Sequence, residues 1–290
     1  KNLSRTTYST KSYNNKYGNP ISLLNLKQND EFGIFEVRMD KKGEINSLSK
    51  IIKPDLAIIT NISYAHSKNF KDIRQIADAK AEIMNNIKKE GFIVLNRDDN
   101  FYEYLKNTAL KKKLKVISFG IKNKFSTAKL IKVKKSKKKY ELFINIDGSP
   151  SIFYSHNINK SHLYNILATL ASINIYTNIK RFKKSIFLNF KTPMGRGDIS
   201  KIKLKNKKVF LVDETYNSNP LSLKIAIENY DKIESKNFKK YLILGDMREL
   251  GKHSKKQHKL VSNVVNKTKI NKVYVIGKYI KETFKGLKQN

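Results

Sequence analysis

The sequence predicts an α/β protein in two units, the first a mostly parallel sheet with a small antiparallel portion and the second another α/β layer. Three observations predict it. Short apolar runs alternate with stretches of helical periodicity, the mark of parallel strands joined by crossover helices. One central stretch alternates residue by residue instead. A segment with Pro193, Gly195 and Gly197 then separates two such patterns near residue 190.

The elements follow in order. "FGIFEV", "LAIITNI", "GFIVLN" and "KVISFG" are short, apolar and rich in β-branched residues, as buried strands are. Between them, "DIRQIADAKAEIMNNI" (72–87) repeats Ile73, Ile76, Ala77, Ile83, Met84 and Ile87 at three- and four-residue spacing, which predicts one buried helix face. "NFYEYLKNTALKKK" is a second helix. "TAKLIKVKKSKKKYELFINIDGSPSIFYSHN" alternates and turns at "DGSP", so it reads as antiparallel strands. "SHLYNILATLASINIYT" is an apolar helix. The boundary in "FKTPMGRGD" gives units 1–189 and 190–290. Beyond it, "KKVFLVDE", "KKYLILGDM" and "KVYVIGK" are strands, with helices "NPLSLKIAIENYDKI" and "KKQHKLVSNVVNK" between them. The lysine clusters at 111–115 and 133–139 read as exposed loops or strand edges.

Composition narrows the function. The chain of 290 residues has no cysteine, which excludes a disulfide framework, a thiolate zinc site and a cysteine nucleophile. No apolar run approaches the length of a membrane span, and the first residues lack the apolar core of a signal peptide. The net charge of +36 suggests a nucleic-acid binder, but only seven of the 60 basic residues are arginine. Base readers lean on arginine, which grips guanine with two donors. Lysine spread over nearly every segment, with abundant Asn and Ile, is better explained by an A/T-rich coding bias. A basic surface still attracts a polyanionic small substrate.

In open α/β sheets, ligands sit beyond the carboxyl ends of the strands. Three such ends carry polar residues: Glu36; then Thr60, Asn61 and His66; then Asp213, Glu214, Tyr216, Asn217 and Asn219. Taken singly, each is as well explained by a cap, a salt bridge or a solvated loop. Lys80 is different, because it completes the apolar stripe of the 72–87 helix. One reading is snorkelling, with a buried stem and the ammonium in water. The other is an enclosed amine. Desolvation then lowers its pKa, and a neutral amine adds carbon dioxide to give a carbamate. That is an oxygen ligand on a long arm, suited with Glu36 and His66 to a magnesium–phosphate site.

Eight stretches in order resemble the Mur ligases, ATP-dependent enzymes that add amino acids to the cell-wall precursor: "YNNKYGNPISLL", "FEVRMDKKGEI", "PDLAIITNISYAH", "IADAKAEI", "VLNRDD", "MGRGD", "VDETYNSNPLSL" and "LGDMRELG". The last two favour the member that adds the terminal dipeptide. The resemblance implies a central ATPase domain followed by a Rossmann-like α/β domain. It implies ATP and Mg2+ as cofactors, UDP-N-acetylmuramoyl-tripeptide and D-alanyl-D-alanine as substrates, a monomer in the cytoplasm, and no nucleic-acid partner or membrane insertion. It also implies roles. Glu36 and His66 are metal residues, and Lys80 falls on the lysine that is carbamylated for the second metal. Asn15 approaches the phosphates, Asn165 the adenine, and Arg196 the nucleotide phosphate from the hinge. Asp213, Glu214, Tyr216 and Asn217 face the nucleotide from the third domain.

Departures accompany the resemblance. Arg38 stands where glycine is common, Asp213–Glu214 replaces a pair of aspartates, and Ser161–His162 replaces His-Asn, so His162 receives no role. No G-x-x-x-x-G-K-[ST] occurs in the sequence. The expectation is therefore an internal fragment, without the uridine-nucleotide domain, the ATP loop and the carboxyl-terminal end, and inactive by itself. Two other readings stay open: a related amide ligase, folylpolyglutamate synthase, and a non-enzymatic basic nucleic-acid-binding module.

Overall fold

Strands form where the apolar runs are, and helices where the period is near 3.6. The computed structural model describes residues 4–10, 13–64, 67–190, 193–204, 207–233 and 238–288. The chain divides into two compact units, residues 1–62 with 70–189, and residues 63–69 with 190–290.

The first unit begins with β1 (Thr6–Tyr8), α1 (Gly18–Leu24) and β2 (Phe32–Ile34), and β1 and β2 pair in parallel. α2 (Glu44–Ile52), β3 (Leu56–Ile59), α3 (Ile73–Ala81), β4 (Phe92–Asn96), α4 (Tyr102–Lys111) and β5 (Lys115–Gly120) follow, then β6 (Ala128–Ser136), β7 (Lys139–Ile146), β8 (Ser149–Ser155) and α5 (Lys160–Ile173). The strands from β3 to β8 form one sheet in chain order. It is parallel from β3 to β6 and antiparallel from β6 to β8. The "DGSP" stretch makes the expected two-residue turn between β7 and β8, with Asp147 and Gly148 both at positive φ (49° and 81°), as a type I′ turn requires. α5 buries Leu163, Ile166, Leu167 and Leu170 against Val94, Phe119, Leu142, Ile144 and Phe153 of the sheet.

Two expectations are corrected here. The 72–87 helix is shorter: α3 ends at Ala81, and residues 82–85 are a 3₁₀ turn. Side chains of that turn and of Asn86 just after it are tied to α2 instead. Glu82 accepts from the Gly43 and Asn46 N–H groups (2.8 and 3.2 Å), and Asn86 Nδ2 donates to Ser49 Oγ at 2.9 Å. Strand "FGIFEV" is also shorter, ending at Ile34, so Glu36 lies two residues beyond it.

The second unit contains β9 (Asp198–Leu204), β10 (Lys207–Asp213), α6 (Pro220–Asp231), β11 (Tyr241–Gly245), α7 (Ser254–Val265), β12 (Lys272–Ile276) and α8 (Lys281–Lys285). β11 and β12 are parallel, as their strand–helix–strand pattern demands. β9 is a strand that the sequence reading passed over, although lysine and aliphatic residues alternate along it, and it pairs antiparallel with β10. Asn219 caps α6 in a reciprocal capping box with Ser222, and Pro220 follows at the first helical position. Ile227, Leu244, Met247, Val261 and Ile280 form the core. Among the described residues no helix is long and apolar enough to cross a membrane.

Candidate active site

In the first unit, the polar residues gather at the carboxyl ends of β3, β4 and β5. Asn96, the last residue of β4, donates from Nδ2 to the Thr60 carbonyl (3.1 Å) and accepts from the Asp98 N–H (3.0 Å). Asp99 accepts from the Ile62 N–H at 2.8 Å and the Phe101 N–H at 2.9 Å. The neighbouring Asp98 takes the Ile121, Lys122 and Asn123 N–H groups (2.6, 2.9 and 2.8 Å) and the Tyr164 hydroxyl (2.8 Å). Burial pushes the Asp98 carboxyl up, but these donors outweigh it and hold it below the ordinary carboxylate value. The two aspartates of "VLNRDD" thus clamp the loops after β3 and β5, a job visible in the sequence only as an acidic pair after a strand.

Lys80 enters this network from α3. Its neighbours on the stripe, Ile76, Ala77 and Met84, are buried. Its Nζ donates to the Asn61 carbonyl at 2.8 Å. The residue as a whole is half-buried, but the amine points inward. Burial lowers its pKa below the ordinary lysine value, and the charge of Asp99 opposes that shift. The enclosed reading, not the snorkelling one, describes this amine.

The other first-unit candidates are spread. Glu36 is exposed, and its N–H donates to Ser9 Oγ at 3.2 Å. Asn15 holds the start of α1, its Oδ1 accepting from the Tyr17 and Gly18 N–H groups (3.0 and 2.9 Å). Asn165 is exposed on α5. His66 lies outside the described residues. His162 is buried, its Nε2 3.1 Å from Ser155 Oγ, and burial lowers its pKa.

The second unit brings its candidates together. Gly195 has φ +75°, and a Cβ there would meet the Tyr216 nitrogen at 2.9 Å, so the "GRGD" turn lies directly against "TYN". The Tyr216 N–H donates to the Gly195 carbonyl (3.1 Å), and the Gly195 N–H to Asp198 Oδ1 (2.6 Å). Arg196 is exposed, with its guanidinium 4.5 Å from the centre of the Tyr216 ring. A stack of that kind contributes about 0.5–1 kcal/mol and orients the planar donor fork. Partial burial, then the charges of Asp198 and Asp213, raise the Glu214 carboxyl above its ordinary value, while Arg196 opposes them. Hydrogen bonds from Thr215 hold the Asp213 carboxyl down. Asn217 is exposed beside this corner. Sequence reasoning passed over Asp198, which its place three residues after Gly195 in "GRGD" makes a turn acceptor.

Asp246 of "LGDMRELG" is a further clamp, accepting from the Lys278, Tyr279 and Ile280 N–H groups (2.9, 3.0 and 2.7 Å). His258 is fully buried; its Nε2 accepts from the Met247 N–H (2.9 Å) and its Nδ1 lies 2.7 Å from the Ser254 carbonyl, so the neutral Nδ1–H tautomer satisfies both.

No group of three or more His, Asp and Glu side chains is spaced to hold a metal among the described residues. Magnesium does not need one: it keeps waters and takes one or two carboxylates together with substrate phosphates. An exposed glutamate past a strand end, and an amine of lowered pKa that can become a carbamate, are donors of the right chemistry.

Comparison with known proteins supplies a family. The Mur ligase middle domain matches residues 2–173. A UDP-N-acetylmuramoyl-tripeptide–D-alanyl-D-alanine ligase of Buchnera aphidicola subsp. Baizongia pistaciae is 32% identical over 97% of this chain and 59% of its own length. Among solved structures, MurF from Acinetobacter baumannii superimposes with a TM-score of 0.86 at 22% identity, over 99% of this chain and 60% of that one. MurF ligase from Thermotoga maritima, in complex with ADP, gives 0.79 at 25% identity, over 95% and 61%. The chain therefore spans about three fifths of the length of the relatives it matches.

Proposed function

The chain belongs to the Mur ligase family, and we propose that the whole protein is an ATP-dependent amide ligase that joins D-alanyl-D-alanine to UDP-N-acetylmuramoyl-tripeptide. The observation that carries this reading is the match of 97% of the chain, at 32% identity, to a relative bearing that name. Residues 1–189 are then most of the central, ATP-binding domain, and 190–290 part of the third domain. The protein works in the cytoplasm as a monomer, with no nucleic-acid partner.

The tripeptide's terminal carboxylate attacks the γ-phosphorus, the bond to the β-phosphate oxygen breaks, and ADP leaves. The D-alanyl-D-alanine amine then attacks the acyl carbon of the resulting acyl phosphate; phosphate departs and the amine loses its proton. Magnesium, when bound, neutralises charge on the transferred group. Catalysis of such transfers is chiefly positioning and electrostatics. Glu36, His66 and a carbamylated Lys80 are the residues that would hold the metal. A Lys80 ammonium would repel a cation, whereas its carbamate attracts one, and the lowered amine pKa favours the neutral form that reacts with carbon dioxide. Asn15 and Arg196 serve the phosphates, Asn165 the adenine, and Asp213, Glu214, Tyr216 and Asn217 the nucleotide from the third domain. The Tyr216 stack keeps the Arg196 fork oriented before nucleotide arrives.

The test is phosphate release by the full-length protein with ATP, Mg2+ and UDP-N-acetylmuramoyl-tripeptide. Release dependent on D-alanyl-D-alanine is expected; release that follows a folate and glutamate instead would assign the protein to the folylpolyglutamate synthase reaction.

A further inference from the structure

Helix α5 carries Asn165, proposed above to meet the adenine, on its exposed side. Its inner face packs Leu163, Ile166, Leu167 and Leu170 onto the sheet. Apolar contact of that kind is non-directional. It fixes which face is buried far better than where the helix sits along its own axis. The start of α5 has no side-chain cap to fix it either. The position of Asn165 must therefore be set by directional bonds from neighbouring side chains.

Two such bonds exist, made by the residues three and one before Asn165. His162 Nε2 lies 3.1 Å from Ser155 Oγ at the end of β8. The Tyr164 hydroxyl donates to Asp98 Oδ2 at 2.8 Å. The second bond reaches further, because the same Oδ2 accepts from the Ile121 and Lys122 N–H groups (2.6 and 2.9 Å), and Oδ1 accepts from the Asn123 N–H (2.8 Å). Gly120 makes room for this carboxylate: a Cβ there would lie 3.1 Å from Oδ1. A single oxygen atom thus joins α5 to the loop after β5.

The chemistry of the bond suits that task. Hydrogen bonds to a charged acceptor are stronger than neutral ones. Burial, then the Asp98 hydrogen bond, raise the Tyr164 hydroxyl above its ordinary value, so it stays a donor across the physiological range. The ring itself packs edge-on to Phe119, with centres 6.3 Å apart. A phenylalanine would keep that contact; only the hydroxyl ties the helix to the loop. The clamp also stands just past the carboxyl ends of β4 and β5, where open α/β sheets receive their ligands.

We propose that Tyr164 is a positioning residue for nucleotide binding: through Asp98 it holds the second turn of α5 against residues 121–123, and so holds the Asn165 amide where the adenine is to be read. This rests on the ligase reading above, and within it on the adenine role of Asn165.

The experiment measures the dissociation constant of ATP with Mg2+ in the full-length protein by calorimetry. Tyr164→Phe removes the hydroxyl and nothing else, and should raise the constant at least about fivefold, the low end of a coupling between sites. Asn165→Ala should raise it as well. In the Asn165→Ala background, Tyr164→Phe should add less than about twofold, because a residue that acts through Asn165 then has nothing to act on. Unchanged affinity in Tyr164→Phe beside a lower urea midpoint would leave Tyr164 a purely structural role and overturn the proposal. Effects that multiply in the double variant would overturn it too. Wild-type affinity in Asn165→Ala would remove the adenine role beneath the proposal, and the proposal with it. A wild-type protein that binds no ATP would remove the ligase reading itself.

Discussion

Each of the two units holds a candidate basic residue, and they hold it in opposite ways. Lys80 is turned inward onto the Asn61 carbonyl, where burial lowers its pKa. Arg196 is exposed on a turn, its guanidinium stacked on Tyr216. The contrast follows from chemistry. An ammonium pays heavily for leaving water and can lose its proton, so burial makes it reactive. A guanidinium keeps its charge, and an exposed stack orients it at little desolvation cost. The first environment suits a side chain that is to be changed, the second one that is to stay as it is.

The largest expected effect breaks the buried side of this comparison. In the full-length protein, Lys80→Ala should lower ligase turnover by about 100-fold or more, the scale of losing an electrostatic group at a reacting centre, with circular dichroism unchanged. Lys80→Arg should do the same, because a guanidinium forms no carbamate. Depleting carbon dioxide should slow the wild-type protein, and added bicarbonate should restore it. Near-normal turnover of Lys80→Arg would remove the carbamate from the account.

Next comes the clamp on the loop after β5. Asp98→Asn replaces an acceptor of three N–H groups and one hydroxyl, so urea denaturation should show a loss of about 2–3 kcal/mol. The folded-state pKa of Asp98 lies below its unfolded value. Its contribution is therefore fully present above the ordinary carboxylate range and disappears as pH falls through the lowered value. The wild-type and Asp98→Asn stabilities should converge in acid; a gap independent of pH would mean that shape, not charge, holds the loops.

The exposed side is broken more gently. Arg196→Lys keeps the charge but loses the planar stack, so KM for ATP should rise roughly fivefold, about 1 kcal/mol, with kcat nearly unchanged. A fall in kcat alone would place Arg196 at the transferred phosphoryl group and not at the bound nucleotide.

The smallest effect sharpens the lesson about buried polar groups. Lys80 has Asn61, whereas Asn19 has no partner among the described residues. Asn19→Leu should raise stability by about 1 kcal/mol in thermal unfolding. A loss would mean that the amide is paired in solution.

The sequence alone determined the alternation of strands and helices, the antiparallel β6–β8 portion with its Asp-Gly turn, the second α/β unit, and the residues Arg196, Glu214 and Tyr216 that meet at one corner. Those features are local: an apolar period reports which face is buried, and a Gly-rich turn reports where the chain reverses. Tertiary structure decided the rest. It ended α3 at Ala81, because Glu82 and Asn86 bond to α2, thirty-odd residues earlier in the chain. It made "DISKIKL" a strand by giving it β10 as a partner, and it placed residues 63–69 with the second unit. It turned Asp98 and Asp246 into clamps on distant backbone N–H groups, and it aimed Lys80 inward. The physical reason is the same throughout: a side chain's environment in these places is set by groups brought from elsewhere in the chain, and no spacing within a short stretch of sequence records which groups those are.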